Sequence, residues 1–228
     1  MSFLLVRPTK IMCRPERDVR LLSQVHDLSQ FQRFVRICAG RIGQVLNLES
    51  LSNDVGISSK TTKAWLSLLE ASFIIVRLQP YFENFGKRII KSPKLYFTDV
   101  GLACSLLGIE TVEQLSRDPL RGALVENLLV LELIKARLNR GLDPRLYYYR
   151  DSHGREVDLI FQSARELLPV EIKAAKTFDK DFLKNVHFFQ RLVGDRAPKG
   201  FVLYSGEHEQ TIGSVELLNH MHAEHIVL

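Results

Sequence analysis

Apolar positions recur at two different spacings along this chain, and the switches between them mark its organisation. Between residues 17 and 40, Val19, Leu22, Val25, Phe31, Phe34, Val35 and Ile37 return at near-helical spacing among polar neighbours, which predicts a helix with one apolar stripe. A shorter helix is predicted from Leu48 to Val55, stopped by Gly56. After Ile57, either Ser58 or Ser59 can cap a third helix that runs to about Ser72. On it Thr61, Trp65, Leu68 and Ser72 share one face, and Lys60, Lys63, Ser67 and Glu70 take the other. β-branched and aromatic residues then take over in Phe73-Ile74-Ile75-Val76-Arg77-Leu78. Beyond a polar turn near Glu83-Asn84 they return in Lys94-Leu95-Tyr96-Phe97, which predicts a two-stranded ribbon. Asp99 and Gly108 bracket one more short helix, as its N-cap and its C-terminal stop.

The second half changes period again. A strongly apolar helix is predicted from about Gly122 to Asn139. Three strands follow, Leu146–Arg150, Glu156–Phe161 and Leu168–Lys173, the first two joined by the turn-rich Asp151-Ser152-His153-Gly154. A helix over about Phe178 to Val193 and a strand over Gly200–Tyr204 complete the order αβββαβ. The predicted organisation is therefore an unassigned stretch over 1–20, a winged helix-turn-helix over 21–98, and a connecting helix over 99–118. An αβββαβ domain over 119–205 and a tail over 206–228 complete it.

Composition narrows the class. The chain has 228 residues, 46% apolar, 25% charged and 9% aromatic, the usage of an ordinary globular protein long enough to bury a core without staples. The longest uncharged apolar stretch is far below the roughly 18 residues of a membrane span. The opening Phe3-Leu4-Leu5-Val6 is too short for a signal-peptide core. Three separated cysteines, Cys13, Cys38 and Cys104, without a Cys-x-x-Cys pair, predict a reducing, cytoplasmic setting and no structural zinc. Charge is divided unevenly. Residues 1–100 carry 15 Lys+Arg against 8 Asp+Glu, and residues 101–228 carry 16 against 18. A basic first half invites phosphate. Lys60 and Lys63 on the third helix, with Lys87, Arg88, Lys91 and Lys94 on the ribbon, are the candidate DNA contacts. The same lysines also suit a plain solvated face.

Three acids of the second half are harder to place on a surface. Glu126 shares its helical face with Ala123, Leu129, Val130 and Leu133. Asp158 interrupts an apolar strand, and Glu171 lies two residues before Lys173, so both point to one side. A hairpin followed by an adjacent strand brings Asp158 beside Glu171. Carboxylates converging in this way supply hard oxygen ligands for Mg²⁺, and a lysine beside them neutralises developing charge on a phosphate. The plainer alternative is a Glu171–Lys173 ion pair with Asp158 at a strand end.

The pattern resembles the PD-(D/E)XK nuclease fold, in which a helix Glu, a second-strand Asp and a third-strand Glu-x-Lys form the site. The resemblance assigns catalysis to Glu126, Asp158, Glu171 and Lys173, metal binding to Asp158, Glu171 and Glu126, and a lesser polar role to Gln190. From about Glu16 to Tyr204 the chain also resembles the C-terminal region of prokaryotic AAA-superfamily ATPases, domain-of-unknown-function family 4143. The residues carrying this are Glu16-Arg17-Asp18-Val19, Leu95-Tyr96-Phe97-Thr98-Asp99-Val100-Gly101-Leu102, Gly122-Ala123-Leu124-Val125-Glu126-Asn127 and Glu156-Val157-Asp158. That family carries an ATPase half with a phosphate-cradling Gly-x-x-x-x-Gly-Lys loop. Here Gly86-Lys87 has Tyr81 where the first glycine belongs, so ATP is expected to act only through an N-terminal domain that this chain lacks. The sequence thus predicts an α+β, α/β protein, a winged helix followed by a restriction-endonuclease-like domain. Its expected partners are DNA and an ATPase or a second copy, with no membrane. Its expected activity is Mg²⁺-dependent deoxyribonuclease chemistry without ATP hydrolysis. The alternative is a non-catalytic DNA- or protein-binding module, or a remnant, of an ATPase system.

Overall fold

Short polar side chains decide where the first helices begin. The computed structural model describes residues 27–83 and 90–227. Helix α1 (Leu28–Ala39) follows Asp27, whose side chain accepts the Gln30 amide at 2.9 Å. Val19, Leu22 and Val25 of the long apolar pattern lie outside the described residues. Asn47 caps α2 (Leu48–Val55) through the Ser50 amide, and Gly56 ends it at φ +81°, a left-handed conformation that glycine adopts without steric cost. Ser58 rather than Ser59 caps α3 (Ser59–Ala71), accepting the Thr61 amide at 3.1 Å. Strands β1 (Ile75–Leu78) and β2 (Lys94–Phe97) pair as the ribbon.

The chain divides into two units, Met1–Arg77 with Lys94–Asn127, and Leu78–Pro93 with Leu128–Leu228. In the first, the Trp65 ring meets Phe31 and Phe34 at 5.2 and 5.4 Å, and Leu51, Val55, Leu66, Leu69, Leu95 and Phe97 close the core around them. A buried Ser52–Thr62 hydroxyl pair at 2.9 Å joins α2 to α3. Residues 99–118, expected as a mere connector, belong to this unit. Asp99 caps α4 (Val100–Leu106), whose Leu102, Ala103 and Cys104 enter the same core. The apolar face of α4 needs cover, and the core supplies it. A capping box of Thr111 and Gln114 starts α5 (Val112–Arg117). Cys38 and Cys104 are buried free thiols, and burial pushes Cys38 up to about 12.

Helix α6 (Arg121–Leu138) leads into a six-stranded mixed sheet. The antiparallel run β3 (Leu146–Arg150), β4 (Glu156–Ser163) and β5 (Glu166–Lys173) is followed by α7 (Lys184–Val193). Strand β6 (Gly200–Tyr204) then returns parallel to β5. A parallel return needs such a crossover element. Residues 206–227 are not a tail. They form β7 (Gln210–Ile212), β8 (Val215–Asn219) and a 3₁₀ segment over His220–Ile226, and β8 pairs parallel to β6. The helix expected from Phe178 starts as a 3₁₀ turn over Lys180–Leu183.

The segment Leu78–Pro93, expected within the first domain, belongs to the second unit. Its described residues lie along β3: the Tyr148 amide donates to Gln79 O, the Tyr81 amide to Tyr148 O and the Ile90 amide to Arg150 O, at 3.1, 2.7 and 3.0 Å. An edge strand exposes a row of backbone donors and acceptors, and this segment pairs them. No described helix is long and apolar enough to cross a membrane.

Candidate active site

Strands β4 and β5 run antiparallel with Leu159 opposite Val170. One step further in that register sets Asp158 opposite Glu171, and opposed residues face the same side of the sheet. Asp158 Oδ2 accepts the Ile172 amide at 2.8 Å, which fixes the carboxylate against β5. Lys173, two residues past Glu171, places Nζ 2.5 Å from Glu171 Oε1. The structure therefore brings together Asp158, Glu171 and Lys173. The closed Glu171–Lys173 contact is present, and Asp158 stands beside it.

Glu171 is only 3% exposed. Its Oε1 collects both donors, Lys173 Nζ and, at 3.1 Å, the Asn185 Nδ2 of α7. Its Oε2 is buried and receives no hydrogen bond from the described residues. An unsatisfied buried oxygen costs about 1–3 kcal/mol, more when charged. Burial and then the Asp158 charge push Glu171 up to about 8, against the downward pull of Lys173 and Asn185. Native structures seldom keep such an atom without a reason.

A divalent cation fits these donors. Among the described residues Glu171 Oε2 has no partner, and Asp158 spends one carboxylate oxygen on the Ile172 amide. Hard oxygen donors of this kind suit Mg²⁺, which retains several waters and needs only one or two carboxylates. Among the described residues, no three His, Cys, Asp or Glu side chains converge to hold a metal. Glu126 lies in the first unit, where its Oε1 receives Lys94 Nζ at 2.8 Å and Tyr96 Oη at 2.5 Å. Lys94 is 1% exposed, so it is a buried ion-pair partner and not the phosphate contact the ribbon pattern suggests. Asn127, next to Glu126, brackets Phe97 by accepting its amide at 2.7 Å and donating to its carbonyl at 2.8 Å.

The polar residue that reaches the acids from the helix is Asn185, not Gln190. Gln190 donates to Ala197 O at 3.3 Å and accepts from Ser214 Oγ at 3.1 Å. Asn185 lies in the first turn of α7, one residue before buried Val186, and only the angle at which α7 meets β5 reveals its role. Lys60, Lys63 and Lys91 are exposed, while Lys87 and Arg88 lie outside the described residues.

Residues 14–113 match the family model described as Domain of unknown function (DUF8612). Residues 121–222 match Domain of unknown function (DUF4143), a C-terminal domain of AAA-like ATPases. Two curated relatives are each 31% identical over 193 residues: Uncharacterized protein Mb2031c of Mycobacterium bovis and Uncharacterized protein Rv2008c of Mycobacterium tuberculosis. The match covers 85% of this chain and 42% of each relative, so the chain spans less than half the length of the curated relatives it matches.

Proposed function

We propose that this chain is the DNA-binding, nuclease-like portion of an AAA-family ATPase system, with Asp158 and Glu171 holding Mg²⁺ for phosphodiester hydrolysis. One observation carries the proposal: a buried carboxylate oxygen, Glu171 Oε2, without a donor among the described residues, beside a second carboxylate on the neighbouring strand. The order α6-β3-β4-β5-α7-β6, with its antiparallel trio and parallel return, supports a restriction-endonuclease-like fold. Two helices around the Gly56 turn followed by a ribbon support a winged helix that offers Lys60, Lys63 and Lys91 to phosphates.

Bound Mg²⁺ would supply Lewis-acid polarisation of the phosphate and a nucleophilic water. The protein's share is positional. Asp158 is clamped to the β5 backbone, and Asn185 and Lys173 fix the rotation of the Glu171 carboxylate. Lys173 keeps a side chain 32% exposed, able to offset charge that develops on a phosphate oxygen in the transition state. A non-catalytic DNA-docking role is the second reading, favoured by the closed Glu171–Lys173 contact.

The test is a cleavage assay on linear, branched and single-stranded DNA with Mg²⁺ or Mn²⁺. Metal-dependent cleavage that falls by at least 100-fold in Asp158→Ala and Glu171→Gln is the expected result. No cleavage by the wild-type chain, or equal cleavage by the variants, overturns hydrolysis at this site.

A further inference from the structure

Beside the acid pair, a cleft of about 350 Å³ is lined by Arg155, Lys184, Asn185, His187, Phe188 and Arg191, with no acidic residue among them. We propose that this cleft is the subsite that grips the backbone of a nucleic-acid strand next to the phosphate being cleaved. The proposal rests on the hydrolytic reading of Asp158 and Glu171 for its neighbour, but its own support is charge and spacing.

On α7, Lys184, His187, Phe188 and Arg191 stand at i, i+3, i+4 and i+7, which is one helical face, while Val186 and Phe189 are buried on the other. From Lys184 to Arg191 the axis advances about 10.5 Å, the rise of about three nucleotides at roughly 3.4 Å each. One isolated phosphate would not need a stripe of that length; a polymer backbone does. Surface composition does not explain it either, since residues 101–228 carry 16 basic against 18 acidic side chains. The positive charge is gathered here within a half that is otherwise net acidic.

Arg155 comes from the other side, from the end of the β3–β4 turn. Its guanidinium lies over the Phe188 ring, 4.7 Å from the centroid. Stacking holds the planar group in one orientation and leaves its edge donors suited to phosphate oxygens. Lys184 pairs with Asp181 at 2.7 Å, both side chains well exposed. Such exposed helical pairs are weak, so a phosphate readily competes for the lysine. Asn185 joins the two sites, since it lines the cleft and donates to Glu171. A strand lying in the cleft therefore runs toward the acid pair.

Fluorescence anisotropy of a fluorescein-labelled 20-nucleotide single strand, with full chain in EDTA, tests this independently of cleavage. The double variant Arg155→Ala/Arg191→Ala should weaken binding about tenfold and reduce the salt slope by about 1.4, for two lost phosphate contacts on a single strand. Arg155→Lys/Arg191→Lys, which keeps both charges but not the stacked guanidinium, should restore the salt slope and part of the affinity, and a restored slope excludes misfolding as the cause. If the wild-type chain does not bind, or binds no more tightly than the double alanine variant, the cleft assignment is overturned. Loss of binding in that variant without any wild-type cleavage would sink hydrolysis and leave the cleft standing. Wild-type cleavage with unchanged binding by the variant would do the reverse.

Discussion

A carboxylate that keeps its proton to about pH 8 makes stability depend on pH with a definite sign. The ordinary Glu value is 4.5, and burial and then Asp158 raise Glu171 well above it. Between these values the folded chain holds a proton that the unfolded chain has lost, so stability falls as pH rises through the window and levels off above it. Urea midpoints measured from pH 5 to 9 in EDTA should decline in the wild type and decline less in Glu171→Gln. Equal slopes would show that the burial of Glu171 is not what it costs the fold. Asn127 makes a second residue-scale prediction. Asn127→Ala removes both partners of the Phe97 backbone and should cost about 2 kcal/mol or more in urea unfolding. Legibility differs among these residues for physical reasons. Glu171 and Lys173 are two apart on a strand, so their shared side can be read from the sequence alone. The fate of Lys94 cannot, because a lysine in a ribbon reads as surface and its partner Glu126 lies 32 residues away.

Elements are legible where a local signal sets their ends. Asn47, Gly56, Ser58 and Asp99 carry such signals, and α2, α3 and α4 begin or end beside them. Strands β7 and β8 carry no comparable signal. Gln210-Thr211-Ile212 is short and polar, and it becomes a strand only because β8 pairs with it and β8 pairs with β6. The seat of α7 on the sheet is likewise a tertiary fact. A Cβ on Gly200 would stand 2.3 Å from Val186 Cγ1, and Val186 is fully buried. Gly200→Ala should therefore push α7 from β6 and destabilise the chain by roughly 1–3 kcal/mol. It should also disturb the Asn185–Glu171 contact, since Asn185 precedes Val186. Chemical denaturation measures the first effect; an unchanged midpoint would mean that α7 has room to shift.

At the scale of the whole chain, the sequence separates two structural regimes but not the path between units. The boundary expected near residue 119 ignores Leu78–Pro93, which interrupts the first unit and completes the second. No periodicity announces this, because the segment pairs with β3 through backbone groups at Gln79, Tyr81 and Ile90. A fragment of residues 119–228 should therefore lack cooperative thermal unfolding, with the β3 edge uncovered. The full chain should melt cooperatively, as circular dichroism would show, and a sharp transition in the fragment would contradict the division. The candidate chemistry at this scale depends on one pair of carboxylates taking a divalent cation. Titration calorimetry with Mn²⁺ on the full chain tests that most directly, beside Asp158→Asn and Glu171→Gln. The account predicts one Mn²⁺ per chain for the wild type and none for either variant. A flat wild-type titration, or binding that survives both substitutions, would contradict it.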